Sequence, residues 1–177
     1  MVSDVGRRRF GALFLSLDRD GNGFVDGNDH ELVVASIAQQ RNLTPGSPEH
    51  DDLRAKVMHG WEGLRELADT DGDGRVTQEE YVESLAALAE SPEGLDRIGL
   101  SIADQMITAM DADGDGRLDL DEFMSMAGAW GAAAEKAEAL FRHIDTNGDG
   151  FLTRDELLAS MRRFFLDEDP DAPHLFG

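Results

Sequence analysis

The chain has 177 residues, 41% of them hydrophobic, enough to fill one large or two small cores. Its formal charge of −21, with 37 acids against 16 lysines and arginines, points away from nucleic acid, because phosphate binding needs a basic face. There is no cysteine, so neither a disulfide framework nor thiolate chemistry is available.

In chain order, Arg7-Arg8-Arg9 precede an apolar stretch from Phe10 to Leu17 that is too short for a secretory signal and lacks a cleavage pattern. It reads as an amphipathic helix, with the three arginines as solvated charges. Phe10, Leu13, Phe14 and Leu17 form one helical face. It runs into Asp18-Arg-Asp-Gly-Asn-Gly, and the same punctuation returns at Asp69-Thr-Asp-Gly-Asp-Gly, Asp111-Ala-Asp-Gly-Asp-Gly and Asp145-Thr-Asn-Gly-Asp-Gly. Each time an acid follows at the twelfth position. Entering faces recur before the later loops: Trp61, Leu64 and Ala68; Ala103, Met106, Ile107 and Met110; Ala137, Leu140, Phe141 and Ile144. Arg65 interrupts the second face. Leaving helices carry Leu32, Val33 and Ile37; Tyr81, Leu85 and Leu88; Phe123 and Met126; Leu157, Leu158 and Met161.

The first aspartates are separated by 51, 42 and 34 residues. The extra length after the first loop holds Asn42-Leu-Thr-Pro-Gly-Ser-Pro-Glu, which breaks one helix and starts another near Ser47-Pro48. Ser91-Pro92 marks a turn before a helix of about five turns. Pro170 and Pro173 stop the last helix before the tail. The implied organisation is residues 1–90, residues 91–166 and a tail of 167–177.

A hard divalent cation wants six to eight oxygens, and carboxylates at positions 1, 3 and 5 converge only where the backbone turns sharply at position 6. Gly23, Gly74, Gly116 and Gly150 supply that turn. The four segments are EF-hand calcium loops, so the expected fold is all-α: four helix-loop-helix units in two pairs. Apolar residues at position 8 (Val25, Val76, Leu118 and Leu152) let neighbouring loops meet as short antiparallel strands, joining hand one to two and three to four.

The expected ligands of loop two are Asp69, Asp71, Asp73, the Arg75 carbonyl, Thr77 and Glu80. Loop three is the richest in charge, with Asp111, Asp113, Asp115, the Arg117 carbonyl, Asp119 at the water-bridging position and Glu122. Loop four offers Asp145, Asn147, Asp149, the Phe151 carbonyl, Thr153 and Glu156. Loop one has Asp18, Asp20, Asn22, the Phe24 carbonyl and Asp26 but closes on Asp29, a methylene shorter than glutamate. The expectation is monodentate reach, about six ligands and tolerance of magnesium. These positions hold 16 of the 37 acids, and four Ca2+ ions would bring −21 to −13. The five histidines show no ligand or triad spacing, and no catalytic cluster is evident.

Four such hands on a chain of this length, the aspartate closing loop one and the long spacers resemble the calerythrin and sarcoplasmic calcium-binding protein family. The resemblance implies a compact cytosolic body whose two pairs share one core, acting as a calcium buffer or transporter. Hand two is intact here, although it is often degenerate in that family. The alternative is a calmodulin-like sensor with a Met-rich groove (Met106, Met110, Met124, Met126) for a cationic amphipathic helix. A remote alternative is a photoprotein-like scaffold around a small molecule. Phe164-Phe165-Leu166 and Leu175-Phe176 are expected to fill the protein's own groove. No run is long enough to cross a bilayer, Met1-Val2 lacks a myristoylation glycine, and a cytoplasmic monomer is favoured.

Overall fold

The computed structural model describes residues 3–129 and 133–166, with the side chains of Met126, Ala129 and Leu166 outside the description. The expectations for Met126, Leu166, His174, Leu175, Phe176 and the tail fall outside the described residues. The order is α1 (Asp4–Leu17), β1 (Phe24–Val25), α2 (Gly27–Gln40), α3 (Pro48–Ala68), β2 (Val76–Thr77), α4 (Gln78–Leu88), α5 (Pro92–Met110), β3 (Leu118–Asp119), α6 (Leu120–Ala129), α7 (Ala134–Ile144), β4 (Phe151–Leu152) and α8 (Arg154–Leu166). Helices flank each loop, as the periodicity requires.

Local chemistry explains the boundaries. Ser3, Ser47 and Ser91 cap α1, α3 and α5, each accepting a backbone N–H through its hydroxyl. Pro48 and Pro92 occupy first-turn positions, where their missing N–H costs nothing. After α2 the chain turns at Asn42, the one non-glycine residue with positive φ among those described.

The two sheets pair the loops as the position-8 residues imply. β1 lies antiparallel to β2 with Val25 opposite Val76, and β3 to β4 with Leu118 opposite Leu152. All four of these side chains are fully buried. Each sheet therefore ties two loops back to back and drops its apolar residues into the core below.

The buried residues form two clusters, and each draws on both halves of the sequence. In the first, Val33, Val34, Ile37, Leu53 and Val57 pack with Ala103, Met106, Met110, Phe123, Phe141 and Leu157. In the second, Phe10, Leu13, Phe14, Trp61, Tyr81 and Leu85 pack with Leu95, Ile98, Met161, Phe164 and Phe165. α5 lies against α3 and α4, and α8 against α5 and α1. Met106 and Met110 are core residues, and Met124 packs against the core from its edge.

Two local expectations are corrected. Arg9 is not solvated: it is buried, donates to the Phe164 carbonyl and lies over the Phe164 ring. Arg65 is exposed, so it does not interrupt the buried face of α3. Arg162 reaches across to Asp96 of α5, at 2.6 and 2.7 Å.

Candidate metal centres

In every loop the backbone bends around the carboxylate at position 1. The Asp69 oxygens accept from the N–H groups of Gly72 and Gly74, at 2.8 and 3.1 Å. Asp111 and Asp145 repeat the pattern with Gly114 and Gly116, and with Gly148 and Gly150. The position-3 side chain accepts from the position-5 N–H in all four loops, and position 5 from position 7. Side chains at 1, 3 and 5 are thereby aimed at the inside of the turn.

Two glycines per loop permit this. Position 6 has φ between +83° and +87°, and position 4 between +70° and +79°. Sequence reasoning named position 6 only. Gly21, Gly72, Gly114 and Gly148 were equally visible in the glycine that follows position 3 of each loop, Asp in the first three and Asn147 in the fourth. Here the left-handed backbone makes any side chain costly.

The acid at position 12 joins the two ends of each loop. One oxygen of Glu80 accepts from the Thr70 N–H and hydroxyl, and the other from those of Thr77. Glu122 does the same with the N–H groups of Ala112 and Asp119, and Glu156 with Thr146 and Thr153. Positions 9 and 12 also form a capping box, so the closing acid starts the leaving helix. Asp119 and Thr153 take the N–H of Glu122 and Glu156 in the same way, at 2.8 and 3.3 Å.

Asp29 reproduces this wiring despite its shorter arm. Its Oδ1 accepts from Arg19 N–H at 2.8 Å and from Asp20 N–H at 3.3 Å, and its Oδ2 from Asp26 N–H at 2.8 Å. The shorter arm leaves Asp29 1% exposed, the most buried of the candidate acids. Loop one differs in a second respect: Asp18 Oδ1 accepts from Asn22 at position 5, where the other loops use position 4.

Electrostatics follow from these contacts. The Thr77 N–H, helped by the Thr70 and Thr77 hydroxyls, holds Glu80 down at about 2. Burial pushes Glu156 up, but donors from Thr153, Thr146 and Asn147 outweigh it and leave it below the ordinary range. Arg117 pairs with Asp115 at 2.7 Å and depresses it, while its guanidinium lies 3.9 Å from the Phe151 ring centroid in the paired loop. Arg75 lies likewise over Phe24, at 5.3 Å. Sequence reasoning assigned these arginines only a carbonyl role and missed the side-chain contact between paired loops.

Three carboxylate groups have oxygens within 4.8 Å of one another: Asp18, Asp20 and Asp29; Asp69, Asp71 and Asp73; Asp111, Asp113 and Glu122. Loop four gathers Asp145, Asn147 and Asp149 by the same hydrogen bonds. Clusters made only of oxygen donors fit a hard cation such as Ca2+ or Mg2+ and suit zinc or copper poorly. Of the histidines, His59 and His143 are exposed, and His50 lies 3.5 Å from Asp51. The His30 ring packs at a tilt against Trp61, with ring centroids 5.3 Å apart.

Known proteins agree with this geometry. A family model described as an EF-hand domain pair matches residues 66–128, and one described as an EF hand domain matches residues 136–164. Calerythrin from Saccharopolyspora erythraea is 27% identical over 166 residues, 93% of this chain and 94% of calerythrin. The solved structure of a Streptomyces coelicolor calcium-binding protein superposes with a TM-score of 0.73 at 28% identity, covering 90% of this chain and 97% of that one. The calcium-loaded apo form of the coelenterazine-binding protein from Renilla muelleri shares the fold, with a TM-score of 0.76 at 23% identity over 93% of this chain and 91% of that one. With four oxygen-lined loops joined in pairs by short sheets, the chain is an EF-hand calcium-binding protein, similar to calerythrin.

Proposed function

We propose that the protein is a cytoplasmic calcium buffer or transporter that binds up to four ions. The ligands are the side chains at positions 1, 3, 5 and 12 of each loop and the position-7 carbonyls of Phe24, Arg75, Arg117 and Phe151. Position 9 completes each shell through water. Residues 1–90 and 91–166 are the two pair units, and loop one tolerates magnesium.

The observation that supports a buffer is the fate of the apolar groove in the first pair. In a sensor that groove opens to receive a partner helix. Here α5 lies along it, and Phe164 and Phe165 at the end of α8, 4% and 6% exposed, pack with Phe10, Phe14 and Tyr81. Buried Arg9 holds the Phe164 carbonyl in place. Large exposed hydrophobics among the described residues are the scattered Leu15, Leu32 and Leu67, which do not make a groove. The acidic surface still suits a cationic partner helix, so a sensor is the second reading.

Calorimetric titration with calcium, with and without magnesium, tests the proposal. A buffer gives sites near about 10⁻⁹ to 10⁻⁸ M that magnesium weakens, whereas a sensor responds between about 10⁻⁷ and 10⁻⁵ M. Four sites all in the weaker range would overturn the buffer reading.

A further inference from the structure

Position 7 of an EF-hand loop offers only its carbonyl to the ion, so the side chain there is free for another task. Each pair carries one arginine and one phenylalanine at this position: Phe24 and Arg75 in the first, Arg117 and Phe151 in the second. The antiparallel register makes them diagonal neighbours, because Phe24 lies opposite Thr77 and Phe151 opposite Asp119, each two residues beyond the arginine. Leu118 and Leu152 point into the core, so Arg117 and Phe151 meet on the outer face of the sheet.

The two arginines differ in what else they touch. Arg75 lies 5.3 Å from the Phe24 ring centroid and, among the described residues, forms no carboxylate pair. Arg117 is closer to its ring, at 3.9 Å, and its guanidinium donates to Asp115 Oδ2 at 2.7 Å while its backbone N–H donates to Asp115 Oδ1 at 2.9 Å. Asp115 is the expected position-5 ligand of loop three, and a single residue holds both of its oxygens. The Asp115 hydrogen bond does most to hold the guanidinium in its charged form, and the charges of Asp149 in loop four and Asp113 in loop three add to it. The cation thus stands in the field of both loops.

Loops one and two each offer four acids at ligand positions, whereas loop three offers five and loop four three. Calcium affinity follows the charge of the ligands, so the first pair is matched and the second is not. The arginine that pairs with a ligand carboxylate lies in the unmatched pair, on the loop with the surplus acid. We propose that Arg117 is an affinity-determining residue that weakens site three and so brings it closer to site four. Its charge repels the ion, and the ion must share Asp115 with the guanidinium. Fold stability is not its main task, since the Arg117 and Asp115 side chains are 40% and 30% exposed, and ion pairs so exposed contribute little. This role rests on loops three and four holding ions, as proposed above.

Calcium titration of the full chain against a competing chelator, followed by amide NMR, reads the sites one by one. Gly116 and Gly150 donate their N–H groups to Asp111 and Asp145, so their signals report sites three and four separately, as Gly74 does for site two through Asp69. Arg117→Gln should tighten site three about five- to tenfold at about 0.02 M salt and site four less than about threefold, so that the two draw apart. At about 0.15 M salt the gain at site three should shrink to about threefold. Arg117→Lys keeps the charge and should bind within about twofold of wild type. Arg75→Gln should move site two less than Arg117→Gln moves site three. Site-three affinity that is unchanged or lower in Arg117→Gln, a gain that salt does not diminish, or an Arg117→Lys protein that behaves like Arg117→Gln would overturn the role of Arg117. An equal or larger gain from Arg75→Gln would do the same. Wild-type Gly116 and Gly150 signals that fail to respond to calcium would instead sink the four-site reading, and the role of Arg117 with it.

Discussion

The position-12 acid is the residue on which each loop turns, since one side chain joins the loop ends, caps the leaving helix and stands at the proposed ion site. In loop one that role falls to Asp29, which keeps both backbone contacts by sitting deeper than its glutamate counterparts. Asp29→Glu adds a methylene to a buried position, where overpacking costs about 1–3 kcal/mol in the ion-free protein. With calcium present the longer arm can offer both oxygens. The expected result is that about tenfold more magnesium, some 1.4 kcal/mol, is needed to displace calcium from one site in the variant. The other three sites should not change; competition calorimetry of both proteins reads this directly.

Among the helices, α8 connects the two halves of the molecule. It closes loop four at its start, pairs with α5 along its length through Arg154–Asp104 and Arg162–Asp96, and ends inside the cluster of the first pair. Phe165→Ala removes a ring packed at a tilt against Phe10, with centroids 5.2 Å apart. It should cost about 3–5 kcal/mol of stability in denaturant unfolding. It should also raise the fluorescence of a hydrophobic dye, because the first-pair groove loses its cover. The ion pairs predict a pH response. Arg162 holds the Asp96 carboxyl below its ordinary range, so this contact stabilises the fold above the unfolded carboxylate range, near about 4, and is lost as pH falls through the depressed value. Wild type should therefore lose α5–α8 stability on acidification below about pH 4, whereas Asp96→Asn should show a shallower loss there. Both groups are exposed, so the difference will be small and reduced by salt.

For the whole molecule the controlling quantity is charge. Hydrogen bonds organise the loops, yet they crowd carboxylates within 4.8 Å of one another in a chain of charge −21. Calcium bound at the proposed sites would remove that repulsion. One site held at a hundredfold excess over its Kd contributes about 2.7 kcal/mol to folding. Chelation should therefore lower the melting temperature by on the order of 10 °C or more, followed by far-ultraviolet circular dichroism. Raising salt to about 0.15 M, where the screening length is about 8 Å, should restore part of the loss in the ion-free protein only.

The loops were legible because they are local: the side-chain hydrogen bonds within each loop span at most ten residues, and glycine, aspartate and the closing acid each have one geometric task. The pairing of β1 with β2 and of β3 with β4 was legible for a related reason, since position 8 is the one loop position that is apolar in all four loops. Arg9 shows where such reading stops. Next to Arg7 and Arg8 it looks like surface charge, and only the arrival of Phe164, 155 positions later, makes it a buried donor. The mixing of both halves in each cluster, the cover over the first-pair groove and a cavity bordered by His30 and Tyr81 have the same origin. Amphipathic periodicity states that a helix has an apolar face, not which other face will cover it. The sequence by itself therefore determined the chemistry and pairing of the ion loops. The tertiary structure alone decided what the apolar faces meet, because that depends on how distant helices pack and not on any local pattern.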